Sequence, residues 1–130
     1  MHTYFKDKVI IITGASSGIG LATARLFAGM GAKLSLAARS IDILESLASE
    51  LTDDRSRILC IKTDVSVEED CRRLIEETVR RFGKIDILIN NAGIIKRIPM
   101  LEMSVEDFRE VVDVDLNAPF ICAKACLPGM

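Results

Sequence analysis

The apolar run Val9-Ile10-Ile11-Ile12 leads directly into Thr13-Gly14-Ala15-Ser16-Ser17-Gly18-Ile19-Gly20, and no other stretch constrains the chain as much. The run reads as a parallel strand buried on both faces, and the residues after the last glycine have helical periodicity. Strand, glycine turn and helix form the context in which a glycine motif acquires a physical meaning. Gly14 permits a tight turn out of the strand, Gly18 lets backbone approach a pyrophosphate, and Gly20 lets the helix lie close to its strand. The free N–H groups at the helix start then face an anion, with the positive end of the helix dipole behind them. A nucleotide-triphosphate loop would need Lys and Ser or Thr after the last glycine, whereas Leu21 and Ala22 stand there. The stretch therefore predicts a dinucleotide cradle; glycines serving only a turn and close packing are the alternative.

Downstream, apolar runs and helical patterns alternate. Ile19, Ala22, Leu26 and Met30 are expected to form the buried face of the first helix, which Gly31 ends. Lys33 to Ala38 reads as the second strand. Dinucleotide folds commonly place an acidic residue about 20 positions beyond the glycines to hold the adenosine ribose. Here Ala38, Arg39 and Ser40 occupy that place. A guanidinium there can pair bidentately with a 2′-phosphate, so NADP is expected over NAD. Ser40 also caps a helix running to about Leu51, with Ile41, Leu44, Leu47, Ala48 and Leu51 inward.

Ile58 to Lys62 is a third strand, and Asp64 and Val65 follow at its carboxyl end, where ligands of open α/β sheets bind. Ser66-Val67-Glu68-Glu69 reads as a capping box opening a helix to about Phe82. Ile85 to Ile89 is the fourth strand and delivers Asn90-Asn91-Ala92-Gly93 to the same sheet edge. After the loop Ile94 to Leu101, Ser104 caps a helix with Met103 and Phe108 spaced for a hydrophobic staple. That helix reaches Asn117, and Pro119 bends or restarts it. From Ala118 to Met130 only Lys124 is charged, which predicts a final helix covered on more than one side.

Bulk properties exclude several classes. A chain of 130 residues with 49% hydrophobic and 28% charged residues is one globular domain's worth, and residues 1–130 read as a single NAD(P)-binding domain. A net charge of -2 without a long basic run gives no footprint for nucleic acid or an anionic membrane. The cysteines Cys60, Cys71, Cys122 and Cys126 lack paired metal-ligand spacing and the only histidine is His2, so no metal is expected. With no signal peptide and no apolar segment of about 18 residues, a cytoplasmic location with reduced thiols is expected. Tyr4 and Lys8 are spaced Y-x-x-x-K, but the pair precedes the first strand, so the two side chains need not share a face and the spacing reads as chance.

Alternating strands and helices already give an α/β, doubly wound parallel sheet. With the motifs placed, the chain resembles the short-chain dehydrogenase/reductase family along essentially its whole length. The matching pieces are Thr13 to Gly20, Asp64-Val65, Asn90-Asn91-Ala92-Gly93 and Asn117. The resemblance implies a Rossmann-like sheet of strand order 3-2-1-4 and hydride transfer between NAD(P) and a small alcohol or carbonyl substrate. It implies that Gly14, Ser16, Ser17 and Ile19 line the phosphates, with Gly18 and Gly20 completing the turn. Asp64 would accept from the adenine amino group, Val65 would pack on the ring, and Arg39 with Ser40 would read the 2′-phosphate. Many NADP-preferring relatives carry a basic residue where Ser17 stands, and this chain does not.

Asn90, Ala92 and Gly93 would border the nicotinamide-side ribose, and Asn117 would be the active-site asparagine. The family's catalytic Ser and Y-x-x-x-K pair would lie beyond Met130, and Tyr4 is the only tyrosine. The chain thus reads as a truncated, cofactor-binding half, expected to bind dinucleotide weakly alone and not to turn over. Self-association as a homo-oligomer, through the last helix and an exposed sheet edge, is also expected. A non-catalytic nucleotide-binding or interaction module is the alternative reading.

Overall fold

A computed structural model describes residues 4–130. Four strands, β1 (Val9–Thr13), β2 (Lys33–Ala38), β3 (Ile58–Lys62) and β4 (Ile87–Ile89), form one parallel sheet in the order β3-β2-β1-β4. The parallel, doubly wound sheet is what the alternation of strands and helices predicts, and its order is the one that the family resemblance implies. Ile11 is the register point of the centre, opposite Ser35 on one side and Leu88 on the other. The helices are α1 (Gly18–Gly29), α2 (Ile41–Leu51), α3 (Glu68–Phe82), α4 (Val105–Val112) and α5 (Ala118–Cys126).

Side-chain alternation along β1 explains why its sequence is apolar without interruption. Ile10 and Ile12 join Leu34, Leu36, Leu44 and Ala24 in the layer that α1 and α2 cover, while Ile11 joins Ala37, Leu74, Ile75 and Cys126 beneath α3 and α5. A central strand with both faces covered has no position left for a polar side chain except one that can be partnered. Ser35 is such an exception on β2: fully buried, it lies 2.8 Å from the Thr78 hydroxyl, which also donates to the Leu74 carbonyl at 2.7 Å. Among the described residues no buried side-chain polar atom lacks a partner.

Three local expectations require correction, and a fourth observation adds to the reading. The buried residues of α1 are Gly20 and Ala24, not Ile19, Ala22 and Leu26; Ile19 is 78% exposed and Leu26 56% exposed. The helix start lies so close to the turn that a Cβ on Gly20 would stand 2.1 Å from the Gly14 carbonyl oxygen, so glycine alone fits there, while Leu21, Phe27 and Ala28 pack half-buried against the core. The N-cap of α3 is Val67 rather than Ser66, and no side chain caps it. Ser66 instead turns back to Asp64, donating from both its amide (3.0 Å) and its hydroxyl (2.6 Å). β4 begins at Ile87, because the Asp86 carboxylate accepts the Val9 N–H at 2.8 Å and replaces a ladder bond with a side-chain one. Finally, Lys8 and Tyr4 do meet, with the ammonium 5.3 Å from the ring centre. They do so at the amino end of β1, roughly 16 Å of strand away from its carboxyl end.

Ser104 caps α4 as its position predicts, its Oγ accepting the Asp107 N–H at 3.0 Å. Between α4 and α5 the backbone widens into one π turn, Asp113–Asn117, without leaving the helical region. Pro119 supplies the reason: it has no N–H to offer the carbonyl four residues back, that of Asp115, so the regular ladder is interrupted there. Past this turn the buried residues are Ala118, Cys122 and Cys126, whereas Phe120 is 67% exposed. Within these residues α5 is therefore covered on one side, against α3, and not on several.

Candidate functional site

The carboxyl ends of β1, β2 and β3 open onto one cleft of about 250 Å³. Gly14, Ser16 and Ser17 form one wall, Asn91, Ala92, Gly93 and Ile94 the opposite one, and Arg39, Asp64 and Val65 stand at the β2–β3 end. Ala37, Ala38, Thr63 and Ser66 complete the floor, with Glu110 and Val114 reaching in from the α4 side.

The two walls are joined from beneath by one hydroxyl. Thr13 Oγ1 accepts the N–H groups of Asn91 and Ala92, each at 3.0 Å, and the Asn91 amide donates to the Gly14 carbonyl at 3.1 Å. Gly14 is at φ +65°, and a Cβ there would stand 2.9 Å from the Ala92 Cα, so the turn tolerates no side chain. Ser17 is the extended N-cap of α1 and makes no side-chain capping bond, and no acidic residue occupies the first turn. By contrast α2, α3 and α4 all carry carboxylates in their first turns. The start of α1 is thus an unshielded cluster of N–H donors beside an open cleft, which suits an anion.

At the other end, Arg39 is exposed and has no carboxylate within ion-pair distance among the described residues. Asp64 is anchored by Ser66 and by its own N–H, which donates to Asp70 Oδ2 at 2.8 Å. The Ser66 hydroxyl, working against burial and aided by the Ser66 amide and the Arg39 charge, holds the Asp64 carboxyl below its ordinary value of 3.8. Asp64 is consequently an ionised acceptor at neutral pH.

Of the residues proposed from the sequence, Gly14, Ser16, Ser17, Arg39, Asp64, Val65, Ala92 and Gly93 come together around the cleft. Gly18, Ile19 and Gly20 form the helix start behind it, with Gly20 engaged in packing. Ser40 is the N-cap of α2 but its side chain makes no capping bond. Asn90 points away and donates to the Pro119 carbonyl at 3.4 Å, because successive side chains of an extended segment alternate; Asn91 is the one that faces the cleft. Asn117 is not brought to the cleft either: its amide donates to Asp113 Oδ1 at 2.9 Å on the exposed side of the π turn. Asp115, which sequence reasoning passed over, faces the wall instead, its Oδ1 accepting the Ile94 N–H at 2.9 Å. Nothing in the local pattern marks Asp115, since its partner lies 21 residues away in an irregular loop.

A parallel 3-2-1-4 sheet with a glycine turn and an anion-ready helix start at its carboxyl edge defines a dinucleotide-fold protein. The profile of the short chain dehydrogenase family matches residues 8–130, and the chain belongs to that family. An uncharacterised oxidoreductase of Listeria monocytogenes is 41% identical over 124 residues, which are 95% of this chain and 50% of the relative. The chain spans about half the length of the curated relatives it matches. Among solved structures, a short-chain dehydrogenase/reductase described as glucose/ribitol dehydrogenase from Brucella melitensis superposes with a TM-score of 0.95 at 35% identity, covering 100% of this chain and 54% of that one. An alcohol dehydrogenase from Thermococcus sibiricus, complexed with 5-hydroxy-NADP, gives 0.90 at 38% identity over 95% and 53%. A 3-ketoacyl-(acyl-carrier-protein) reductase from Brucella melitensis, complexed with NADH, gives 0.88 at 34% over 96% and 51%.

Proposed function

We propose that residues 1–130 form an NAD(P)-binding domain that holds NADP in preference to NAD, in an oxidoreductase acting on a small alcohol or carbonyl compound. One observation carries the reading: a carboxylate-free helix start, a cationic Arg39 without an ionic partner and an ionised Asp64 line the same cleft. A pyrophosphate suits the first, a 2′-phosphate the second and an amino group of an adenine the third. The open space around Gly18, where a Cβ would meet nothing within 4 Å, leaves room for a diphosphate to approach. When bound, the nicotinamide group accepts or supplies the hydride. The chain's own residues hold the adenosine diphosphate end, and the Ala92–Gly93 backbone borders the nicotinamide half. The NADP and NADH complexes among related structures support a nicotinamide cofactor, and Arg39 supports the choice between the two.

We further propose that these residues by themselves do not turn over. Among the described residues, the groups lining the cleft include no tyrosine, lysine or histidine that could exchange a proton with an alkoxide, and Tyr4 sits at the far end of β1. Self-association is supported by Phe108, Leu116 and Phe120, exposed along α4, the π turn and α5. Fluorescence titration of NADPH and NADH into the protein made from its whole reading frame tests the cofactor reading. Saturable binding with NADPH tighter than NADH is expected, and no binding of either would overturn it. Size-exclusion chromatography of the same material tests association, for which a well-behaved monomer is the contrary result.

A further inference from the structure

We propose that Cys71 and Cys122 form a redox pair, oxidised by a hydroperoxide to a disulfide that joins α5 to α3 and releases the Val65 edge of the cleft. The pairing stands on helix packing alone; its effect on a ligand rests on the dinucleotide reading above.

Among the described residues no two helices touch more extensively than α3 and α5, and their register is fixed at two points. Just past α5, a Cβ on Gly129 would stand 3.2 Å from Val79 Cγ2 of α3. About two turns earlier on both helices, the buried thiols of Cys122 and Cys71 meet in a hydrogen bond. Contacts in the same sequence order make the two helices parallel. The buried side chains of α5 are Ala118, Cys122 and Cys126, all small, so its backbone can approach closely. Packed helices have axes about 8–10 Å apart with each Cα about 2.3 Å off its axis, which brings facing Cα atoms into the range of roughly 4.4–6.8 Å that a disulfide spans.

The two sulfurs have different tasks. Cys122 donates to Cys71, and that bond holds the Cys71 thiol below its ordinary value of 9.0, against burial and the charges of Asp70, Asp64 and Glu68. The same bond, with burial, pushes the Cys122 thiol up. Cys71 is therefore the sulfur that attacks the hydroperoxide: an S–O bond forms, the O–O bond breaks and water leaves, giving a sulfenic acid. Cys122 then attacks that sulfur, its proton departs with the hydroxyl as a second water, and the S–S bond closes. The two thiols lose two electrons and the hydroperoxide gains them. Burial makes the first step slow, since the sulfurs are reached only when α5 lifts from α3.

The cleft feels the change through one bond. As a thiol, Cys71 Sγ donates to the Val65 carbonyl at 3.3 Å, and Val65 lines the cleft beside Asp64 and Arg39. A disulfide sulfur has no proton to donate, so oxidation leaves that carbonyl unheld. The adenosine end of a dinucleotide would lie against this edge and should bind more weakly.

Peptide mapping and binding on the protein from its whole reading frame decide the matter. Trypsin separates the four cysteines, because Lys62, Arg72 and Lys124 fall between them. After hydrogen peroxide, an unreduced digest should contain the Thr63–Arg72 and Glu110–Lys124 peptides joined, and dithiothreitol should part them. Oxidation confined to Cys60, or a bridge from Cys71 to Cys126 instead, would overturn the proposal. NADPH and 2′,5′-ADP should both bind about two- to fivefold more weakly to the oxidised protein, the loss of one weak hydrogen bond, and recover with dithiothreitol. Cys122→Ala and Cys122→Ser should bind both ligands as the reduced parent does and be indifferent to peroxide; a peroxide-dependent loss that persists in both variants would remove the disulfide as its cause. A bridged parent of unchanged affinity would overturn the link to the cleft. If the reduced parent bound neither ligand, the dinucleotide reading would fall, while the peptide map would still decide whether the pair oxidises.

Discussion

Replacing Gly20 by alanine isolates the contact on which the glycine turn depends. Alanine is the better helix former, and in an open helix position the change would stabilise by about 1 kcal/mol. At Gly20, however, the new Cβ would stand 2.1 Å from the Gly14 carbonyl oxygen, 2.8 Å from its carbon and 2.5 Å from the Asn91 amide nitrogen. Two of these are backbone atoms of the turn, so relief requires α1 and the turn to separate by about 1 Å, an overpacking that typically costs about 1–3 kcal/mol. The same shift breaks the Asn91 to Gly14 bond, worth about 1 kcal/mol net. The balance is a destabilisation of about 1–3 kcal/mol. With a urea slope of about 2 kcal/mol/M, the unfolding midpoint should drop by about 0.5–1.5 M. Gly29→Ala in the same helix is the control: a Cβ there meets nothing within 4 Å, and the midpoint should hold or rise. A Gly20→Ala protein with a midpoint equal to or above the parent's would refute the close-packing argument.

Three further expectations concern charge and sulfur. Arg39→Ala should weaken NADPH binding about tenfold or more, the worth of a charge-assisted phosphate contact, and leave NADH within about twofold; equal losses in a paired fluorescence titration would remove Arg39 from the 2′-phosphate site. At Asp86, burial pushes the carboxyl up, but the Val9 N–H and the Lys84 ammonium together bring it below 3.8. Its folded-state pKa is therefore depressed: the stabilisation is complete above the unfolded value and disappears as pH falls below 3.8 through the folded value, so Asp86→Asn should flatten that part of the acid-unfolding profile. The four thiols are free; burial raises Cys60 and Cys126 to about 11, and Cys122 is raised chiefly by its hydrogen bond with Cys71. A disulfide reagent at pH 8 should titrate four thiols in denaturant and react slowly with the native protein; rapid native reaction of two or more would contradict the packing of α5 on α3.

Where periodicity, burial and local hydrogen bonding coincide, structure was legible from residues alone. β2 and β3 occupy the runs expected, and the Ser104 cap of α4 forms because its acceptor and donor are three residues apart. The first helix defeated the same logic. Periodicity ranks positions by size and apolarity, but α1 approaches its strand closely enough that the buried positions go to Gly20 and Ala24, and Ile19 and Leu26 are left outside. Asn117 and Asp115 illustrate a second limit. Each residue inserted into a helical turn rotates everything after it by about 100°, so the face reached by a residue beside the π turn depends on Pro119 and on the tertiary contacts of Ile94. Asn90 and Asn91 differ only in parity along an extended segment, which a motif read as a block does not resolve.

The central place of β1 also sets a timetable for synthesis. One edge of β1 can pair with β2 as soon as that strand emerges, whereas the other waits for β4, whose first residue is roughly 50 residues beyond the end of β2. At translation rates of about 5–20 residues per second, the Val9–Ile12 edge stays unpaired for about 2–10 s on a nascent chain. During that interval an uncharged strand of valine and isoleucine is open to other strands, and holdase chaperones would find their substrate there. Overproduction faster than β4 can arrive should therefore send this protein into inclusion bodies, and slower translation between Ala38 and Ile87 would lengthen the hazard rather than relieve it.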